Sequence, residues 1–185
     1  GSDEVFGGYG LYNKMLNMER ARVFRKLVGF IPNSCLPGDK LKKYADWLSH
    51  TVSDRYRGTS AAQTERIKHS FYSPGFLEFT QENNYLDETF LRYFGDVGGQ
   101  PLLSQLLYVD SKTWLPDDLL LKADKMTMAT SVELRVPFLD HKIVEFAASL
   151  PPEYKIKNGE GKFILKKLME KYLPKEIIYR KKMGF

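Results

Sequence analysis

The chain is poor in cysteine and histidine and has no long apolar run. Cys35 is the only cysteine in 185 residues, which excludes an internal disulfide and fits a reducing, cytoplasmic setting. His50, His69 and His141 are scattered, so with one cysteine there is no ligand spacing for zinc. No apolar stretch approaches the roughly 18 residues that a membrane-crossing helix needs. Internal repeats are missing, as is any alternating strand longer than four residues. The chain opens at Gly1 and Ser2, a pair common in cloning scars, and closes on Gly184 and Phe185 with no polar tail. The expectation is a fragment.

What is present can build a core. Hydrophobic residues make up 43% and aromatics 14%, which argues against wholesale disorder. The net charge of +5 is concentrated late: residues 155–182 hold ten basic side chains against Glu160, Glu170 and Glu176. Such a cluster suits phosphate, nucleic acid or an acidic lipid surface, but a solvated helix face is the default.

Helical periodicity dominates. Leu11, Met15, Met18 and Arg22 recur at spacings of three and four, and Leu27 and Val28 continue the pattern to Pro32. Asp39 is placed to cap a second helix with Leu41, Tyr44, Ala45, Leu48 and Val52 on one face. Residues 60–71 read as a third, stopped by Ser73, Pro74 and Gly75, and the aromatic stretch 76–94 reads as partly helical. Gly95, Gly98 and Gly99 predict a loop, after which Leu102, Leu103, Leu106 and Leu107 share a face. Pro116, Asp117 and Asp118 suit the first turn of a helix running towards Ala129. Asp140 predicts the cap of a helix over 142–150, ended by Pro151 and Pro152. A loop at 157–161 leads into a helix bearing Phe163, Ile164, Leu168 and Tyr172, and Pro174 begins a last short one. The expected fold is a mainly α helical bundle.

Three places carry candidate chemistry. At residues 131–140, Glu133 and Arg135 interrupt an apolar run formed by Val132, Leu134, Val136, Pro137, Phe138 and Leu139. Charges beside such a run are expected to pair or to face a site. Near the start, Asp3 and Glu4 precede Gly7, Gly8 and Tyr9: carboxylate oxygens are hard ligands that suit magnesium, and glycines let backbone approach a phosphate. Near the end, Arg180, Lys181 and Lys182 precede Met183, Gly184 and Phe185, and an ammonium suits a phosphoryl or acyl-phosphate oxygen. Gly159, Glu160, Gly161 and Lys162 do not make a Walker loop, since the spacing and the Ser or Thr after the lysine are wrong. Lys162 can still face an anion.

These motifs occur in a telling order. The 1–9 segment, Ala123-Asp124-Lys125-Met126 with residues 132–140, the Gly161-Lys162 helix start and residues 180–185 together resemble the synthetase domain of glutamine-hydrolysing asparagine synthetases. The resemblance covers residues 1–9 and 104–185, while 11–99 contribute little. It implies that residues 1–185 are the C-terminal part of that domain, from an α/β parent of the adenine nucleotide α-hydrolase, ATP-pyrophosphatase-like type. It implies ATP and magnesium as cofactors. Aspartate would be activated as a β-aspartyl-adenylate, and glutamine-derived ammonia would come from an N-terminal glutaminase domain.

By that resemblance Lys182 and Asp110 are the catalytic pair, and Asp3, Glu4 and Lys162 bind the nucleotide phosphates, with Asp3 on the metal. Glu133 and Arg135 order the tunnel or site. A cytoplasmic parent, a homodimer, and no nucleic-acid or membrane partner are further expectations. The nucleophilic N-terminal cysteine and the Ser-Gly-Gly-x-Asp-Ser pyrophosphate loop of the family are absent from these 185 residues, and Lys181 stands where many relatives have proline. The segment is therefore expected to be inactive alone. The alternatives are a related carboxylate-adenylating enzyme, such as a β-lactam synthetase or a peptide or sugar amidotransferase, and a basic helical binding module.

Overall fold

A computed structural model describes residues 1–21, 51–59, 70–82 and 85–181. In chain order the described helices are α1 (Ser2–Phe6), α2 (Gly10–Arg20), α3 (Val52–Arg55), α4 (Pro74–Glu82), α5 (Tyr85–Asp96) and α6 (Leu102–Lys112). A π-helical segment, Leu115–Leu120, runs without a break into α7 (Leu121–Met128). A single 3-10 turn, Pro137–Leu139, precedes α8 (His141–Ser149) and α9 (Pro152–Lys155). The strands β1 (Ile156–Lys157) and β2 (Glu160–Gly161) form an antiparallel hairpin, followed by α10 (Phe163–Met169) and α11 (Lys175–Ile178). The described residues are mainly helical, as the periodicity predicts.

Two apolar clusters hold these elements. The larger gathers Tyr12 and Met15 of α2, Phe90 and Phe94 of α5, and Leu103, Leu106 and Val109 of α6. Tyr12, Leu106 and Val109 have no exposed surface. Truncating such a leucine to alanine typically costs about 2–5 kcal/mol, so Leu106 is a stability determinant. The smaller cluster joins Val5 and Phe6 of α1 to Ala147 of α8, with Leu139, Ile143 and Ile164 packed around them. Helix α1 thus ties the C-terminal segment to α6.

Several sequence expectations shift. The third helix is described only at residues 70 and 71, where it ends ahead of Ser73, Pro74 and Gly75 as expected, and Pro74 then starts α4, where its missing N–H is harmless and its fixed φ suits the first turn. Gly95 lies inside α5, and the turn begins only after Asp96. The loop at 157–161 is a tight hairpin, with Asn158 at φ 51° and Gly159 at φ 81°. That pair of positive φ values is what a two-residue turn needs to match strand twist. The helix capped by Asp140 spans His141–Ser149, and Asp140 Oδ1 accepts from the Lys142 amide at 3.0 Å, as its residue type predicts. The helix capped by Asp39, most of the one over 60–71, and the continuation from Arg22 to Pro32 lie outside the described residues.

Candidate active site

Gly7 and Gly8 end α1 by turning the chain sharply. Gly7 sits at φ 71° and ψ 51°, the left-handed conformation that closes a helix and costs a glycine nothing. The hairpin then approaches this turn closely. A Cβ on Gly161 would lie 2.3 Å from Gly7 O, so only glycine fits β2 there. The next residue, Lys162, donates its amide to Phe6 O at 3.2 Å and adopts the left-handed conformation at φ 55°. A non-glycine residue in that region is strained, by about 1 kcal/mol or more. From this position the Lys162 side chain reaches across the glycine turn.

There its ammonium meets α1. Lys162 Nζ lies 2.9 Å from Asp3 Oδ2 and 2.9 Å from Ser2 Oγ. Gly8 lies directly beneath: a Cβ on it would fall 2.0 Å from Asp3 Oδ1 and 2.3 Å from Lys162 Cε. Both partners keep about a quarter of their side-chain surface exposed (27% and 22%), so the pair can be reached from solvent. The structure therefore brings together two of the sequence-predicted residues, Asp3 and Lys162, and adds Ser2, Gly8 and Gly161. The sequence does not single out Ser2, because a Gly-Ser pair reads as a cloning scar.

Glu4 goes the other way. Its side chain is buried, with Oε1 accepting from the Tyr9 hydroxyl and Oε2 lying 2.7 Å from the Gly1 nitrogen. That contact is the backward-reaching half of a capping box, in which the third helical residue returns to the N-cap nitrogen. Burial, and then the bond to Glu4, push the Tyr9 phenol well above its ordinary range, so it remains a donor. Glu4 supports the site without facing it.

Asp110 is enclosed in the larger core. Oδ2 accepts from the hydroxyls of Tyr12 (2.6 Å), Tyr56 (2.7 Å) and Thr59 (2.6 Å), and Oδ1 from the Thr59 amide at 3.3 Å. The residue has no exposed surface. Burial raises its carboxyl above the ordinary value, and the hydroxyl and amide donors counter part of that rise. Burial and the neighbouring Asp110 also hold both tyrosine hydroxyls far above the ordinary tyrosine range. In this geometry Asp110 fastens α2, α6 and the 56–59 segment together. The expectation of a carboxylate near the reacting centre came from the resemblance, and nothing in the sequence marked Tyr12, Tyr56 or Thr59 as its partners.

Glu133 and Arg135 form an ion pair at 2.7 Å, but they are 67% and 81% exposed rather than buried in the apolar run. The run itself stays on the surface, so its neighbouring charges need no burial. Lys182 lies outside the described residues. Elsewhere in the basic cluster, Lys166 pairs with Glu160 at 2.8 Å, Lys167 with Glu170 at 2.9 Å, and Lys155 is buried. The described part of the cluster thus mixes paired lysines with exposed cations such as Lys171, Lys175 and Lys181. No group of three or more His, Cys, Asp or Glu suited to a metal occurs among the described residues. A cavity of about 520 Å³ between α2 and the hairpin, lined by Asn13, Arg20, Leu103, Glu153 and Asn158 among others, includes none of the predicted site residues. No described helix is long and apolar enough to cross a membrane.

An acid and a lysine thus meet over a diglycine turn on a helical scaffold. The chain matches the family described as asparagine synthase over residues 1–185 and belongs to that family. It is similar to asparagine synthetase (glutamine-hydrolyzing) 1 of Bacillus subtilis strain 168, with 35% identity over 100% of this chain and 29% of the relative. The similarity to asparagine synthetase (glutamine-hydrolyzing) 3 of the same organism is 41% over 49% of this chain and 15% of the relative. With the Cricetulus griseus asparagine synthetase (glutamine-hydrolyzing) it is 50% over 35% of this chain and 12% of the relative. The chain spans less than a third of the length of these relatives. No solved structure matches it.

Proposed function

We propose that residues 1–185 are the C-terminal part of the synthetase domain of a glutamine-hydrolysing asparagine synthetase, inactive without the remainder of that domain. The reading rests on one observation above the family match: Lys162 reaches over Gly8 to Asp3 and Ser2, so distant parts of the chain bring a cation, a carboxylate and a hydroxyl together beside glycine backbone. The parent domain is of the adenine nucleotide α-hydrolase type, cytoplasmic and homodimeric. Its remainder carries the pyrophosphate loop and an N-terminal glutaminase domain.

The chemistry has two steps. An aspartate side-chain oxygen attacks the α-phosphorus of ATP, a new P–O bond forms, and pyrophosphate leaves. Ammonia then attacks the acyl carbon of the β-aspartyl-adenylate, the bond to AMP breaks, and the nitrogen loses a proton to give the amide. Negative charge grows on phosphate oxygens in the first step and on the tetrahedral adduct in the second. Fixed cations oppose both. Lys162 binds pyrophosphate oxygens, and Lys182 steadies the α-phosphate and the adduct; one such donor is typically worth about 3 kcal/mol.

The donor chemistry of Asp3 and Ser2 fits magnesium, which commonly takes one or two carboxylates and completes its shell with phosphate oxygens and water. Magnesium, when bound, neutralises charge on the leaving pyrophosphate. Glu133 and Arg135 order the approach to the site, and Asp110 acts from behind it by holding α6 in place.

The test is made on the longer protein that contains this chain. Supplied with ATP, magnesium, aspartate and glutamine, it should form asparagine and pyrophosphate. Lys182→Ala should abolish synthesis and leave glutamine hydrolysis measurable; equal loss of both activities overturns the role of Lys182. Amidation of another carboxylate, with aspartate inert, would replace asparagine synthesis by the related carboxylate-adenylating reaction.

A further inference from the structure

Tyr179, the residue that closes α11, touches α10 at two levels. Its hydroxyl donates to Glu170 Oε1 at the end of α10, and Lys167 Nζ donates to the same oxygen at 2.9 Å. These donors, the hydroxyl first, hold the Glu170 carboxyl below its ordinary value, so it stays a charged acceptor. One turn back along α10, Lys166 Nζ lies over the Tyr179 ring, 5.4 Å from its centre. The ring quadrupole attracts an ammonium at that distance. The same ammonium reaches Glu160 Oε1 at 2.8 Å. Glu160 belongs to β2, so a relay of contacts runs from α11 through α10 into the hairpin. It straddles Lys162. Glu160 precedes that lysine by two positions, and the Lys166 amide donates to Lys162 O at 3.0 Å. The Glu160–Lys166 pair therefore closes the chain around the left-handed residue whose ammonium meets Asp3. Lys166 and Glu160 keep 28% and 32% of their side-chain surface exposed, and Tyr179 is 37% exposed. Contacts this open to water add little to folding stability, so their effect is on geometry.

We propose that Tyr179 is a positioning residue for Lys162: its ring fixes Lys166, Lys166 fixes Glu160, and that ion pair holds the helix start from which Lys162 reaches Asp3 and Ser2. The consequence for catalysis rests on the proposed role of Lys162 on pyrophosphate oxygens. Tyr179 acts through Lys166 and Glu160. A cation held slightly out of place loses part of its grip on a phosphate oxygen, and rate falls with it. The face of the ring, not the hydroxyl, makes the connection to the hairpin. Tyr179→Phe keeps that face and gives up the bond to Glu170. Tyr179→Leu keeps apolar bulk and gives up the quadrupole that draws the ammonium.

The test uses the longer protein, with added pyrophosphate as the probe. In Tyr179→Leu, inhibition of asparagine synthesis by pyrophosphate should weaken about fivefold and synthesis should fall about fivefold. Glutamine hydrolysis should be unchanged, and the melting temperature should stay within about 2 °C of wild type. Tyr179→Phe should remain within about twofold of wild type in every measurement. Glu160→Gln should reproduce the effect of Tyr179→Leu, and the double variant should be no worse than either single one, because both cut the same relay. Amide exchange over residues 156–166 should quicken in Tyr179→Leu and Glu160→Gln but not in Tyr179→Phe. Wild-type pyrophosphate inhibition in Tyr179→Leu overturns the proposal, as does a phenylalanine variant as impaired as the leucine one. Additive losses in the double variant overturn it too, and so does a loss that comes with a fall in melting temperature of more than about 5 °C, which would make Tyr179 merely structural. If Tyr179→Leu does not fold, Glu160→Gln decides. A wild-type protein that makes no asparagine removes the proposed function, and the exchange comparison then decides the positioning by itself.

Discussion

Lys162 Nζ and Asp3 Oδ2 stand 2.9 Å apart although 159 positions separate them in the chain. Two glycines leave room for the contact, and Lys162 makes it from a left-handed conformation. Each of these features gives a measurable consequence.

The left-handed backbone at Lys162 separates strain from chemistry. Lys162→Gly and Lys162→Ala both remove the ammonium, but only alanine keeps a Cβ in the unfavourable region. The glycine variant should be the more stable by about 1 kcal/mol in denaturant unfolding. Neither should support synthesis in the longer protein. Equal stabilities would mean that Lys162 is not held left-handed.

Gly8 and Gly161 should respond differently to the same substitution. The Cβ of Gly161→Ala meets the Gly7 carbonyl, which cannot rotate away, so a loss of about 2–3 kcal/mol in stability is expected. The Cβ of Gly8→Ala meets only the ends of Asp3 and Lys162, which can move aside. Its stability should fall less, while synthesis in the longer protein falls at least tenfold. A reversed order of the two stabilities contradicts the close approach of β2 to α1.

Asp110 gives a pH signature. Burial raises its folded-state carboxyl above the unfolded value of about 3.9, so the folded protein keeps a proton that the unfolded chain has already released. The stability this group contributes is complete below the unfolded value and is lost as pH rises through the raised one. Asp110→Asn carries no such proton. The difference in melting temperature, wild type minus variant, should therefore fall as pH is raised from about 4 across that window, and level off above it. A difference independent of pH would show that Asp110 is not shifted.

Glu133 and Arg135 test whether an exposed pair matters for folding. Glu133→Ala or Arg135→Ala should change unfolding stability by less than about 0.5 kcal/mol, since water screens a pair this exposed. A loss above about 1.5 kcal/mol in the longer protein would show that the pair becomes buried there.

Local features were legible wherever short-range chemistry decides. Asp140 announced a helix start because an aspartate accepts the amide two residues on, and the structure shows that bond. The leucines of 102–107 announced the buried face of α6 by their spacing. Pro74 marks a break in the sequence, and the structure shows one helix ending at residue 71 and α4 beginning at Pro74 itself. Glu4 looked like Asp3 in the sequence, and only their positions on α1 separate them: one returns to the N-cap, and the other meets Lys162.

By itself the sequence determined a mainly helical chain, its caps and breaks, and an ordered set of motifs that marks the asparagine synthase family. The tertiary structure decided which charges meet. It joined Asp3 to Lys162, buried Asp110 among three hydroxyls, and left the 132–136 segment open to solvent. The physical reason is range. Caps and periodicity are fixed by neighbours within a turn or two, whereas the partner of a charge depends on which backbones can approach, and here glycines without side chains permit that approach.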